Sequence, residues 1–279
     1  MASVPDMIKK QPTRIAVLFP GQGSQIVGMT SELAEAYPEI RDTFSEASEA
    51  LSEDLWAICQ DEEKLNQTQY TQPALLTASI AIWRILQPKF KKAPCYLAGH
   101  SLGEYSALCA AGVISLADAV RLVHTRGQLM QEAVVGIDTA MAAVLGLEDH
   151  RVENLCEQAT EHVDGAIVGA ANFNSPGQVV VSGNAAGVTA VIDKVKNTGK
   201  KAIPLKVSVP SHCALMAPAS SALAEALAAI KFDQATIPVI QNRHARVESS
   251  AAGIKQALTE QLSEPVLWSK TMQELADKQ

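Results

Sequence analysis

Apolar and polar positions follow two rhythms along the chain, and the change between them divides it. The run Arg14-Ile15-Ala16-Val17-Leu18-Phe19 closes on Pro20-Gly21-Gln22-Gly23-Ser24-Gln25, the pattern of a buried strand feeding a glycine-rich loop. Helical spacing follows over residues 31–36, 41–51 and 72–86. A second apolar strand at 95–98 then runs into a helix-compatible stretch at 104–110 and a helix at 117–130. Strand alternating with helix predicts a largely parallel sheet. From about 139 to 207 the order becomes strand 141–145, helix 149–158, strands 166–171 and 179–182, helix 187–197 and strand 201–207. That β-α-β-β-α-β order predicts a small ferredoxin-like unit with its own sheet. Helix-rich spacing resumes at 214–230, followed by a short strand at 237–241 and helices at 254–262 and 266–276. The prediction is an α/β fold in which a large unit, residues 1–138 and 208–279, carries a small one, 139–207. The cleft between them is the expected site.

Composition narrows the class. A chain of 279 residues with 47% hydrophobic content buries a full core. Its net charge is -7, and no basic run exceeds Lys91-Lys92 or Lys200-Lys201, which excludes a broad nucleic-acid footprint. Five cysteines without Cys-x-x-Cys spacing argue against a disulfide framework or a zinc site, and a reducing, cytoplasmic compartment fits. Residues 1–14 are polar and carry no apolar segment of signal length, and nowhere does an uninterrupted run approach the ~20 apolar residues of a membrane span. The expectation is a monomer with no metal, no bound cofactor and no membrane partner.

The most telling segment is Gly99-His100-Ser101-Leu102-Gly103, a serine between glycines at a strand-to-helix junction. A turn that sharp crowds its own backbone unless the flanking positions lack Cβ, so the pattern reads as a nucleophile elbow with the Ser101 hydroxyl facing substrate. The following helix directs its N-terminal N–H groups at the place where an oxyanion would form. Serine needs a base, usually histidine. Of six histidines, His100 adjoins the serine and points away from it, a shaping group. His124 lies inside a helical run, and His150, His162 and His244 lie among polar residues. His212, after Val207-Ser208-Val209-Pro210-Ser211 at the return from the small unit, is the best-placed base. The Gly21-Gln22-Gly23 loop fails as a dinucleotide fingerprint because Ile26 stands where a third glycine is required; as a support for an oxyanion it has the needed backbone freedom. Arg126, inside the helix at 117–130, reads from spacing as a surface residue, though a guanidinium facing the cleft would clamp a carboxylate with two parallel hydrogen bonds. Lys200 and Lys201 read equally as two solvated lysines in a turn or as contacts to an acidic partner or a CoA phosphate.

Six blocks in order make the chain resemble the malonyl-CoA:acyl carrier protein transacylases of bacterial type II fatty-acid synthesis, from about Ile15 to Trp268. They are Phe19-Pro20-Gly21-Gln22-Gly23-Ser24-Gln25, Thr71-Gln72-Pro73-Ala74, Gly99-His100-Ser101-Leu102-Gly103-Glu104-Tyr105-Ser106, Arg126-Gly127-Gln128-Leu129-Met130-Gln131, Asn172-Phe173-Asn174-Ser175-Pro176-Gly177-Gln178 and Val209-Pro210-Ser211-His212-Cys213. The resemblance implies an α/β-hydrolase-like large subdomain with an inserted ferredoxin-like one. It implies a ping-pong transfer of malonyl from malonyl-CoA, a substrate, to the phosphopantetheine thiol of acyl carrier protein, with no bound cofactor. Ser101 would be the acylated nucleophile, His212 the base and acid, and Arg126 the clamp for the malonyl carboxylate. Backbone N–H groups of Gln22 and Leu102 would form the oxyanion hole, and the backbone carbonyl of Gln261 would orient the histidine. His100, Asn172 and Asn174 would line the cleft, and Lys200 and Lys201 would touch carrier or CoA. Leu102 also matches the malonyl-selective form of the motif. Family members usually continue some tens of residues past Gln279, so the expectation is a shortened chain with a competent site. The rivals are an acyl-thioester hydrolase, disfavoured by Arg126, and a non-catalytic module that binds carrier protein, disfavoured by Ser101 and His212.

Overall fold

The computed structural model describes residues 14–205 and 209–278. The first sheet has the spatial order β1 (Ala16–Phe19), β2 (Tyr96–Gly99), β7 (Val239–Gln241) and β8 (Arg246–Val247). The first three strands are parallel and β8 pairs antiparallel with β7. The second sheet is antiparallel throughout, in the order β4 (Val168–Ser175), β5 (Gln178–Asn184), β3 (Thr139–Leu145) and β6 (Lys201–Pro204). Buried apolar side chains form two main clusters that follow the sheets, one holding Phe19, Leu97, Leu102 and Val239, the other Val144, Val152, Val181 and Val191. This is a mixed α/β protein.

Between β1 and β2 run the helices α1 (Ser31–Ala36), α2 (Pro38–Leu51), α3 (Leu55–Ile58), α4 (Glu62–Leu65) and α5 (Thr68–Leu86). After β2 come α6 (Leu102–Ala110) and α7 (Leu116–Glu132). The second sheet is served by α8 (Asp149–His162) and α9 (Ala185–Asn197), and the return to the first by α10 (Ala217–Ala228), α11 (Ala251–Gln261) and α12 (Trp268–Asp277). Local chemistry sets several starts. Ser115, Asn184 and Ser250 each accept a backbone N–H from the first turn of α7, α9 and α11, satisfying donors that a helix leaves unpaired.

The strand predicted at 201–207 ends at Pro204, and residues 206 and 207 lie outside the described residues, as do 1–13. The helix predicted from residue 72 begins instead at Thr68, so Pro73 lies inside α5. Proline has no N–H for the carbonyl four residues back. That carbonyl, on Gln69, accepts a hydrogen bond from His124 Nδ1 of α7 at 2.9 Å. Close packing makes this reach possible, since a Cβ on Gly127 would lie 2.6 Å from the Gln69 Cα. The contact of α5 with α7 sets Gln72 beside Arg126.

Candidate active site

The carboxyl ends of the three parallel strands converge on one rim, the usual place for a site in such a sheet. Phe19 pairs with Gly99, and Ala98 with Ile240, so the segments after β1, β2 and β7 leave side by side. They carry Gln22, Ser101 and Asn242. The elbow prediction holds in its geometry. Ser101 takes φ 52° and ψ -109° immediately before α6, a backbone state that persists only under surrounding restraint. Neither flanking glycine adopts a positive φ; both serve close approach. A Cβ on Gly99 would lie 1.9 Å from the Gly103 carbonyl carbon, and one on Gly103 would lie 2.2 Å from the Phe19 carbonyl oxygen.

His212 Nε2 lies 2.8 Å from Ser101 Oγ, and its Nδ1 lies 2.6 Å from the Gln261 carbonyl oxygen. A carbonyl only accepts, so Nδ1 carries the proton and Nε2 is free to accept from the serine hydroxyl. His212 is 2% exposed, and its own φ is 62°. Burial, with the Arg126 cation second, drives its pKa down to about 3, so the ring is neutral.

Arg126 corrects the surface reading drawn from spacing, because it is 1% exposed. Packing of α7 on α5 turns it inward, where it donates to Gln72 Oε1 at 2.8 Å, Gln261 Oε1 at 3.1 Å and Ser101 Oγ at 3.3 Å. Burial lowers its pKa from a high starting point, and guanidinium stays charged. Among the described residues its hydrogen-bond partners are amide and hydroxyl oxygens and the Met130 sulfur, at 3.4 Å, with no carboxylate among them. The guanidinium is thus a buried cation aimed at the serine.

The cleft measures about 700 Å³ and is lined by Gln22, His100, Ser101, Leu102, Arg126, Asn172, Asn174 and His212, among others. Leu102 is the first residue of α6, where an N–H has no acceptor within the helix. Gly21 lets the preceding loop close on the elbow, since a Cβ there would lie 2.5 Å from the His100 carbonyl oxygen. Register shifts in β4 at 170/172 and 173/175 loosen its alternation where the two asparagines emerge. Asn174 Oδ1 accepts from His100 Nε2 at 2.8 Å, a bond that spans the two sheets. Lys200 and Lys201 are not brought to the site. Lys201 pairs with Leu145 at one end of β3, whereas the cleft touches Met141 and Leu205 at the other.

A model of the acyl transferase domain matches residues 17–279. The chain belongs to the acyl transferase domain family. It is 52% identical over 267 residues to the malonyl CoA-acyl carrier protein transacylase of Escherichia coli strain K12, covering 95% of this chain and 85% of that one. The enzyme of the same name from Bacillus subtilis is 45% identical over 94% of this chain and 83% of its own length. Among solved structures, FabD from Acinetobacter baumannii matches with a TM-score of 0.91 and 54% identity, covering 94% of this chain and 83% of that one. A malonyl-transacylase in complex with its type II PKS acyl-carrier protein matches with a TM-score of 0.92 and 49% identity over 95% of this chain and 86% of that one.

Three residues of this acyl transferase site escaped the sequence reading. Gln72 holds the arginine, as described. Asn242, fully buried, accepts from the Ser101 N–H and donates to the Gly99 carbonyl, both at 2.6 Å. Glu104, also fully buried, accepts at Oε2 from the Asn242 N–H and from Gln261 Nε2, both at 2.9 Å. Burial pushes the Glu104 pKa up to about 7 against those donors and the Arg126 charge. A signal existed for Asn242, a polar residue at the carboxyl end of a predicted parallel strand. Among the described residues no cluster of three or more metal-ligating side chains occurs, and no helix is long and apolar enough to cross a membrane.

Proposed function

We propose that the chain moves a malonyl group from malonyl-CoA to the phosphopantetheine thiol of an acyl carrier protein through an ester on Ser101. The observation that carries this reading is the buried Arg126 cation, hydrogen-bonded to no carboxylate among the described residues and 3.3 Å from the serine that His212 is placed to deprotonate. Ser101 Oγ attacks the thioester carbonyl while its proton passes to His212 Nε2. The negative oxygen that develops is met by the Gln22 and Leu102 N–H groups, each such donor being worth about 2.7–4 kcal/mol in comparable sites. Collapse expels the CoA thiolate, which takes the proton from His212. The carrier thiol then enters, gives its proton to the same nitrogen and attacks the ester carbonyl; collapse breaks the bond to Ser101 Oγ, which takes the proton back from His212, and the malonyl group leaves on the carrier. The Gln261 carbonyl holds the histidine tautomer throughout, and His100, Asn172 and Asn174 bound the cleft.

Two structural assignments accompany this reading. The parallel-sheet part, residues 1–138 and 208–279, is an α/β-hydrolase-like subdomain, and 139–207 is a ferredoxin-like one. The β-α-β-β-α-β order with sheet order β4-β5-β3-β6 supports the second assignment. Carrier protein as partner is supported by the complex of the structural relative named above.

Arg126→Ala tests the reading. Removing the clamp takes away a charge-assisted pair that only the malonyl carboxylate makes. The expected result is a loss of at least about 100-fold in kcat/KM for malonyl-CoA, with acetyl-CoA changed far less. An equal loss for both thioesters contradicts the assignment. A second expectation concerns pH. A base with a pKa near 3 stays unprotonated as pH falls through 6.5, the ordinary histidine value. The acid limb of kcat/KM therefore lies below 6.5 in the free enzyme. Pairing of the malonyl carboxylate with Arg126 removes part of what depresses His212 and strengthens the base as the donor arrives. A limb at or above the ordinary value contradicts a buried neutral His212.

A further inference from the structure

Ser101 occupies a sparsely populated backbone state that relaxes unless its surroundings over-determine it. The restraint is a buried polar lattice behind the serine, on the side away from the cleft. The Asn242 amide grips both sides of the elbow, its Oδ1 taking the Ser101 N–H and its Nδ2 donating to the Gly99 carbonyl. Gln261 Nε2 donates to the carbonyl of the same serine at 3.1 Å. Both peptide groups around the Ser101 Cα are thereby held by side chains. Asn242 and Gln261 come from the end of β7 and the end of α11, distant segments that need a common anchor. Glu104 Oε2 provides it, accepting from both.

We propose that Glu104 and Asn242 are positioning residues of the transfer reaction: through Gln261 and the Ser101 peptide they hold nucleophile, base and carboxylate clamp in one register. Gln261 is the hub. Its Oε1 accepts from Arg126, its backbone oxygen accepts from His212 Nδ1, and its Nε2 reaches both Ser101 and Glu104. A shift of this one residue, side chain and backbone carbonyl together, moves all three groups, and misplacement by about 1 Å costs on the order of 100-fold in rate. The Glu104 carboxylate makes no hydrogen bond to Ser101, His212 or Arg126, so its positioning effect passes through Gln261 and Asn242. What the anchor must supply is one acceptor oxygen for two converging donors. Glu104 Oε1 has no hydrogen-bond partner among the described residues, so the lattice is held by the other carboxylate oxygen. Glutamine at 104 presents an equivalent acceptor, and methionine fills similar space without one.

The proposal rests on the transacylase reading of Ser101, His212 and Arg126, and the wild-type arm of its test checks that reading separately. Single-turnover acylation of Ser101 at saturating malonyl-CoA is measured by intact-protein mass in wild type, Glu104→Gln and Glu104→Met, with thermal melting of each. Wild type that forms no ester defeats the functional reading whatever the variants do. Given an ester, Glu104→Gln is expected within about threefold of wild type and Glu104→Met slower by about 10- to 100-fold while still folded. The preference for malonyl over acetyl thioester also falls in Glu104→Met, because Arg126 loses its oriented Gln261 partner. Should Glu104→Met not fold, Asn242→Ala, which leaves the acid in place and removes the grip on the elbow, is expected to show the same slowing. Wild-type rates in the methionine variant, or in Asn242→Ala where that variant decides, overturn the proposal. So does a glutamine variant as slow as methionine, or a loss confined to melting temperature with the acylation rate unchanged.

Discussion

His212→Ala slows acylation of Ser101 by about 10²- to 10⁴-fold, the range expected for removal of a positioned general base. The size follows from how singly the proton path is built. Ser101 Oγ has a proton acceptor in His212 Nε2 at 2.8 Å, whereas its other close neighbour, Arg126 Nη2, is a donor. Without the imidazole, the hydroxyl must surrender its proton to water in a site whose nearest charge is positive. The backbone donors and the thioester's reactivity remain, so a residual rate survives. Rapid-quench measurement of the ester under single-turnover conditions separates this step from transfer to carrier. Loss of less than about tenfold would remove His212 from the proton path.

Gly99→Ala is the largest expected effect on stability. The added methyl would lie 1.9 Å from the Gly103 carbonyl carbon and oxygen and 2.4 Å from the Glu104 nitrogen, all backbone atoms of α6. Flexible side chains can yield to a new methyl, but a helix start pinned between β2 and the Phe19 carbonyl cannot. The strand and helix must part, carrying Ser101 with them. Chemical denaturation is expected to register a loss at or beyond the upper end of the usual overpacking range of about 1–3 kcal/mol. Gly169→Ala is the matched control, since a Cβ there meets nothing within 4 Å. Its change is expected within about 0.5 kcal/mol. Similar losses in both variants would mean that glycine flexibility, and not close approach, explains the elbow.

How much of this was legible in the chain depended on how local the cause was. The elbow is read from five residues because the Gly99 constraint, backbone against the backbone of Gly103 and Glu104, lies within them and one neighbour, although Gly103 is fixed by the Phe19 carbonyl far back in the chain. The strand and helix order at 139–207 is likewise written in short-range periodicity. The start of α5 was misread because Pro73 normally marks a first turn, and the carbonyl it leaves is satisfied by His124, 55 residues away. Spacing alone misplaces Arg126 at the surface for a related reason, whereas the resemblance puts it in the cleft. An arginine in a helix looks solvated until the face it shares with Met130 and Gly127 is known to pack on another helix, and that is a property of α5 and α7 together. Asn242 and Gln261 act on Ser101 from 141 and 160 residues away, so spacing ties neither of them to the serine, and the one local sign is that Asn242 follows the strand predicted at 237–241. The resemblance supplied the Gln261 carbonyl; the side-chain lattice it belongs to emerged only with the fold. The short helices α3 and α4, four residues each, fall below the length at which helical periodicity can be counted.

The central claim is that Ser101 carries a malonyl ester on the way from CoA to carrier protein. Intact-protein mass after brief exposure to malonyl-CoA, and again after addition of holo acyl carrier protein, tests it most directly, with Ser101→Ala alongside. The account predicts one malonyl adduct that is absent from Ser101→Ala, persists in buffer and moves to the carrier when carrier is supplied. An adduct that survives in Ser101→Ala, or one lost to water as fast without carrier as with it, would contradict the account.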